Sequence, residues 1–454
     1  MNLTRLKPVH YIPVSFLAAI ITGTLLLMLP VSSASGTATS FLTALFTATT
    51  SVCVTGLVVV DTYAHWSLFG QFVILILIQI GGLGVVSVGS MIMVVTKRKF
   101  FLSNRMLLGD SLNVDGKRGL IHFLKRMFRG VMIVEASGAI LCAIKFIPKF
   151  GFGKGLWASI FQSVSAFCNA GMDVVGPNSM IDLRDSNLLM IVTMTLIILG
   201  GIGFVVWFDI IEGIKNTIAY RYSPGKGFSR LPEHTKIVLI MTLGLIISGA
   251  ACVFAAEYNN PDTLGQMSLS GKIMNSLFQS VTFRTAGFAS IPQNKLTEIS
   301  CTTGYVLMFI GGSPVGTAGG IKTMTAFLFF INAVSYINGK TENVVFHKRV
   351  PEELMRKSAA IVFFSVVAVF VMNMLLMSRG GISHTDALYE VVSALGTVGL
   401  SRGLTPNLDS VGRVIIIISM YLGRIGPISM AIFLVKGNSA ENSITHANGK
   451  FYVG

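Results

Sequence analysis

Four short runs share one spacing of small, carbonyl-presenting residues: Val54-Thr55-Gly56, Asn169-Ala170-Gly171, Thr285-Ala286-Gly287 and Thr397-Val398-Gly399. Their glycines are 115, 116 and 112 residues apart. None of the four triplets contains Asp, Glu, His or Cys, so acid–base catalysis and transition-metal ligation have no groups there. The chemistry left is that of the backbone. Carbonyls from four extended runs gathered on one axis can replace the hydration shell of a monovalent cation, and glycine admits the backbone angles that aim them inward.

Each run closes a short amphiphilic stretch, starting at Leu42, Trp157, Met274 and Ala387, that reads as a half-helix. A half-helix ending at membrane depth leaves its last carbonyls unpaired, which is tolerated only where they line a cavity or are buried in protein. Helix C-termini carry partial negative charge, so four of them converging favour a cation.

A second glycine mark follows each turn by 24 to 29 residues: Gly81-Gly82-Leu83-Gly84, Gly200-Gly201-Ile202-Gly203, Gly311-Gly312-Ser313-Pro314 and Gly423-Arg424-Ile425-Gly426. These glycines suit close helix packing in a membrane. Two marks in register define a fourfold repeat of helix, half-helix, turn and helix. The fold expected is an all-α integral membrane protein of four M1-P-M2 repeats, with eight transmembrane helices and four pore half-helices in pseudo-fourfold arrangement around one pore.

The third repeat departs from the others. Its run Gly311-Gly312-Ser313-Pro314-Val315-Gly316-Thr317-Ala318-Gly319-Gly320 holds five glycines and a proline, which no continuous spanning helix tolerates. Residues 316–323 nearly spell a phosphate-binding loop, but Ile321 stands where glycine is required and no strand precedes it. Arg424 lies within an apolar run, where a guanidinium is costly unless it faces water or a partner. Glu135, near one end of an apolar run, is no obvious partner for it. Arg284, one residue before the third turn, is expected to brace that turn, with Glu390 as its candidate partner.

The elements that must hold these residues are legible in the composition. Of 454 residues, 52% are hydrophobic and 12% charged, against roughly 25% charged in soluble domains. Apolar stretches at 14–29, 71–96, 130–147, 188–211, 237–256, 304–337, 358–377 and 414–435 approach or exceed the ~20 residues that cross a bilayer. Five scattered cysteines without a CxxC pair exclude a disulfide scaffold and read as small apolar side chains. The net charge of +15 falls almost wholly on the segments that are inner if both termini are cytoplasmic, as the positive-inside rule expects, so nucleic-acid binding is not called for. The run 97–129 is the most basic, while 31–70 has no Lys or Arg. Arg5 and Lys7 before an apolar run ending in small residues imitate a signal peptide, but the repeat needs 14–29 as its first helix.

On Val54-Thr-Gly-Leu57, Asn169-Ala-Gly171, Arg284-Thr-Ala-Gly-Phe288, Gly396-Thr-Val-Gly-Leu400 and Gly423-Arg-Ile-Gly-Pro427, the whole chain resembles the Trk/Ktr/HKT superfamily of potassium transporters, most closely the bacterial Ktr membrane subunit. The resemblance implies that the four triplets form a potassium filter, one-turn relatives of TVGYG. It also implies that 311–320 is an intramembrane gate under that filter and that Arg424 is its cation barrier or anchor. Family members with serine at the first filter glycine tend toward sodium, so Gly56 favours potassium.

The division implied is a cytoplasmic segment 1–13, repeats at 14–99, 130–212, 236–337 and 358–436, and a cytoplasmic tail 437–454. The chain offers no strand–helix alternation or glycine fingerprint for a nucleotide, so no cofactor is expected on it beyond potassium in the pore. The resemblance places ATP or ADP on a separate cytosolic ring of regulatory subunits beneath a homodimer in the cytoplasmic membrane. Sodium activation, common in the family, is not legible in these residues. The competing classes are a proton- or sodium-coupled symporter of Trk/HKT type and an integral membrane enzyme. The enzyme reading lacks a Ser/His/Asp, HExxH or metal cluster.

Overall fold

The computed structural model describes residues 8–96, 119–340 and 342–426. The tail 437–454, most of the basic run 97–129 and Pro427 lie outside the described residues.

Fifteen helices of eleven residues or more carry the fold among the described residues. The first seven are α1 (Pro8–Leu27), α2 (Phe41–Val52), α3 (Leu68–Leu83), α4 (Val85–Val95), α5 (Leu120–Phe150), α6 (Phe152–Cys168) and α7 (Asn187–Gly201). The next four are α8 (Phe204–Ala219), α9 (Glu233–Glu257), α10 (Leu269–Phe283) and α11 (Glu298–Phe309). The last four are α12 (Thr323–Ile337), α13 (Glu352–Met377), α14 (His384–Gly396) and α15 (Ser410–Ile425). A two-residue antiparallel ladder, Val344–Val345 with Lys348–Arg349, stands between α12 and α13.

Helices α5, α9 and α13 are long and apolar enough to cross a membrane unaided. They leave large apolar side chains exposed, among them Ile133, Ile140, Ile247, Phe363 and Phe370, a surface that suits lipid and not water. Side-chain caps start α3 at Ser67, α10 at Ser268, α11 at Thr297, α14 at Ser383 and α15 at Asp409, each accepting a first-turn amide.

The second long helix was expected to be interrupted only in the third repeat. Instead α3 and α4 meet at 98° and α7 and α8 at 101°. The cause is the last glycine of each mark: Gly84 has φ +87° and Gly203 φ +91°, a backbone state in which no helix continues. Gly426, with φ +93°, ends α15 in the same way. The first glycines of the marks do serve close packing. A Cβ built on Gly81, Gly200 or Gly423 would lie 2.0, 1.9 or 2.2 Å from the carbonyl oxygen of Val52, Phe167 or Leu395, at the ends of α2, α6 and α14.

The helices pack in a recurring order. α1 lies on α2, α5 on α6, α9 on α10 and α13 on α14. The helix following each short one packs on the next short one in the chain: α3 on α6, α7 on α10, α11 on α14, and α15 back on α2. That cycle closes, and the short helices α2, α6, α10 and α14 are its buried centre.

Candidate ion pathway

Each short helix leaves through a residue in the left-handed region and reaches a second one two positions on. The pairs are Val54 (φ +55°) and Gly56 (+99°), Asn169 (+59°) and Gly171 (+66°), Thr285 (+67°) and Gly287 (+82°), and Thr397 (+50°) and Gly399 (+94°). Non-glycine residues rarely adopt this conformation, so its recurrence at one register marks a built feature. A β-strand sends alternate residues to opposite sides. Left-handed residues at every second position undo that alternation.

The four turns touch in chain order and close on themselves. A Cβ on Gly56 would lie 2.5 Å from the Ala170 carbonyl oxygen, on Gly171 2.7 Å from that of Ala286, on Gly287 2.5 Å from that of Val398, and on Gly399 2.1 Å from that of Thr55. A side chain at any of the four positions would force the neighbouring backbone to shift. All eight non-glycine residues of the triplets are buried, and the hydroxyls of Thr55, Thr285 and Thr397 have no hydrogen-bond partner.

Four hydroxyl residues that the sequence reading passed over hold the turns. The amides of Thr55, Ala170 and Val398 each donate over 2.8 Å to the carbonyls of Thr50, Ser165 and Ser393, and the Ala286 amide donates to Thr282 at 3.0 Å. Thr50 Oγ1 accepts the Gly56 amide at 2.9 Å, and Ser393 Oγ accepts that of Gly399 at 3.1 Å. Ser165 and Thr282 reverse the sense, donating to the carbonyls of Met172 and Phe288. The signal was present as a hydroxyl six residues before the turn glycine in three repeats and five before it in the third.

Residues 311–320 form a folded-back loop between α11 and α12. Its ends pair through Gly311 N to Ile321 O at 3.0 Å, Gly312 N to Gly319 O at 3.2 Å, and Thr323 N to Gly312 O at 3.0 Å. The loop sits in the break between α7 and α8. Ser313 and Thr317 amides donate to Gly201 and Gly200 carbonyls at 2.8 and 3.0 Å, and the Phe204 amide, freed by that break, donates to Val315 O at 3.0 Å. Pro314 and Gly316 lie against the backbone of Gly203 and Gly200. Thr317 Oγ1 donates to Phe167 O at the end of α6. Ala318 is buried, Gly320 turns back against Gly311, and Gly319 contacts Thr397, the first residue of the fourth triplet. The loop therefore abuts the ring.

Arg424 reaches this loop and not a carboxylate. Nη1 donates to Thr317 O at 2.6 Å, and Nη2 donates to Gly82 O at 3.3 Å and, closer still, to Gly81 O. Arg284 Nη2 donates to Gly311 O at 3.0 Å, so its bond is to the loop and the expected one to Glu390 is not formed. Glu135 lies in the middle of α5 and not near its end, because the helix extends ten residues beyond the apolar run on its N-terminal side. It is buried, accepts from Gln79 Nε2 at 3.1 Å, and has Cys168 beside it. Among the described residues no cluster of metal-ligating side chains occurs.

The TrkH family, described as cation transport protein, matches residues 7–444. The chain is 36% identical over 455 residues to the potassium/sodium uptake protein NtpJ of Enterococcus hirae, covering 99% of this chain and 98% of that one. It is 36% identical over 450 residues to the Ktr system potassium uptake protein B of Bacillus subtilis, covering 99% and 97%. The crystal structure of the potassium transporter TrkH from Vibrio parahaemolyticus superposes with a TM-score of 0.69 at 17% identity, covering 93% of this chain and 84% of that one, a likeness of fold. The match along nearly the whole length of this helical chain places it in the TrkH family of cation transport proteins.

Proposed function

We propose that this chain takes up potassium across the cytoplasmic membrane as the pore-forming subunit of a Ktr-type system. In this reading the helices make four M1-P-M2 repeats with eight crossings, bent or broken ones included, and both termini are cytoplasmic. The observation that carries it is the closed contact of the four glycine turns. The triplets 54–56, 169–171, 285–287 and 397–399 are the filter, dehydrating a cation on carbonyls backed by the C-termini of α2, α6, α10 and α14. The loop 311–320 with Arg424 is the gate, since it abuts Thr397 and is docked by backbone bonds that can be exchanged for water.

The subunit works as a homodimer on a cytosolic nucleotide-binding ring. A gate responds to a ligand only if the ligand binds its two states unequally, and no nucleotide fingerprint is legible in this sequence. Potassium flux through the purified chain in liposomes is therefore expected to be the same with ATP and ADP. It becomes nucleotide-sensitive when the host's cytosolic fraction is restored. Full nucleotide-sensitive transport by the isolated chain would contradict a separate regulator.

Glu135 favours a second reading, proton-coupled symport. It is a buried carboxyl at membrane depth with one amide partner, directly behind the end of α6, and such groups often mark proton relays.

A further inference from the structure

Three cationic side chains lie at membrane depth around the loop 311–320, and each donates to a different carbonyl of it. Arg424 Nη1 is 2.6 Å from Thr317 O, Lys322 Nζ is 2.6 Å from Ala318 O, and Arg284 Nη2 is 3.0 Å from Gly311 O. Among the described residues none of the three has a carboxylate within ion-pair distance. The loop has no charged side chain of its own, and among the described residues these three contacts are its charge-assisted anchors. We propose that Lys322 and Arg284 are positioning residues of the gate, acting with Arg424 as a three-point clamp on the loop's carbonyls.

The clamp rests on the reading of 311–320 as a gate and adds to it two residues and a direction of force. Lys322 is the last residue before α12 and reaches back four positions, so it ties the loop's returning limb to the helix it feeds. Arg424 holds the adjacent carbonyl, one residue earlier, from α15. Lys322 and Arg424 hold adjacent carbonyls and so stand close together, and carbonyl dipoles offset their repulsion only while the loop is in place. A potassium ion leaving the filter adds a third positive charge beneath it. The repulsion favours displacement of the clamp, so the same charges that close the loop make it responsive to the ion. Arg284 differs in its position. It precedes Thr285 of the third triplet and bonds the loop's outgoing limb, so it links the spacing of the filter to that of the gate.

The test is basal potassium flux and potassium-to-sodium preference in liposomes for single variants of the full chain. Lys322→Met and Lys322→Gln, the latter keeping a hydrogen-bond donor without the charge, are each expected to raise basal flux about fivefold and leave the preference unchanged. Lys322→Arg, which keeps the charge, is expected to hold flux near the parent's. Arg284→Gln is expected to change both quantities, which a residue serving the fold alone would not do in this pattern. Parental flux in Lys322→Gln, beside raised flux in Arg424→Gln, would overturn the clamp and leave the gate standing. Parental flux in Arg424→Gln as well, and on deletion of 312–320, would remove the gate itself.

Discussion

Replacing Gly56 by serine is expected to lower the preference for potassium over sodium about tenfold, equivalent to about 1.4 kcal/mol of differential stabilisation. At φ +99° an L-residue is strained by about 1–2 kcal/mol. Its Cβ would stand 2.5 Å from the Ala170 carbonyl oxygen, so that carbonyl, or the Gly56 peptide, must move. Sodium and potassium differ in the oxygen spacing they favour, and displacing one carbonyl of a shared ring alters that spacing. The damage stays local, because Thr50 still holds the turn from behind. Competition uptake by a well-expressed variant is the measurement; a preference equal to the parent's would show that position 56 does not face the ion. The same change at Gly399 is expected to be more severe, since the neighbouring Thr55 oxygen is only 2.1 Å from the added atom.

Neutralising Arg424 as Arg424→Gln, or deleting 312–320, is expected to raise basal flux about tenfold. A hydrogen bond from a charged donor contributes roughly 1.5–3 kcal/mol, and Arg424 makes three, one to the loop and two to the α3 backbone. Losing the loop bond alone shifts the closed-to-open ratio by a factor of ten or more at about 1.4 kcal/mol per decade. Filter selectivity is expected to persist in Arg424→Gln, because its contacts are to Thr317, Gly81 and Gly82 and not to the triplets. Unchanged flux in both variants would mean that 311–320 is a static kink in a broken helix.

The fourfold pattern was legible because the chemistry repeats. A glycine that lies against a neighbouring carbonyl cannot be replaced without moving that carbonyl, so Gly56, Gly171, Gly287 and Gly399 stand out at near-constant spacing. The break in the third repeat was legible for the opposite reason, an excess of glycine and a proline. What stayed hidden depended on single residues whose type permits several outcomes. Gly84 and Gly203 look identical to packing glycines such as Gly81, yet they take positive φ and bend their helices by about a right angle. Nothing in Val54, Thr285 or Thr397 announces a left-handed backbone; of the four, Asn169 alone is a type that takes it readily. The partners of Arg284 and Arg424 were hidden as well, since backbone carbonyls have no residue type to recognise. Glu135 was misplaced because Lys125, Arg126 and Arg129 interrupt the apolar run while the helix continues through them to Leu120.

The most direct test of the central claim, that the ring of carbonyl turns is a potassium pathway open to the ion alone, is the reversal potential of the purified chain in liposomes under opposed potassium, sodium and proton gradients. The reversal potential is expected to follow the potassium gradient and to stay fixed when the pH gradient is inverted. A reversal potential that shifts with the proton gradient in the parent, and ceases to do so in Glu135→Gln, would contradict uncoupled conduction and make the chain a proton symporter.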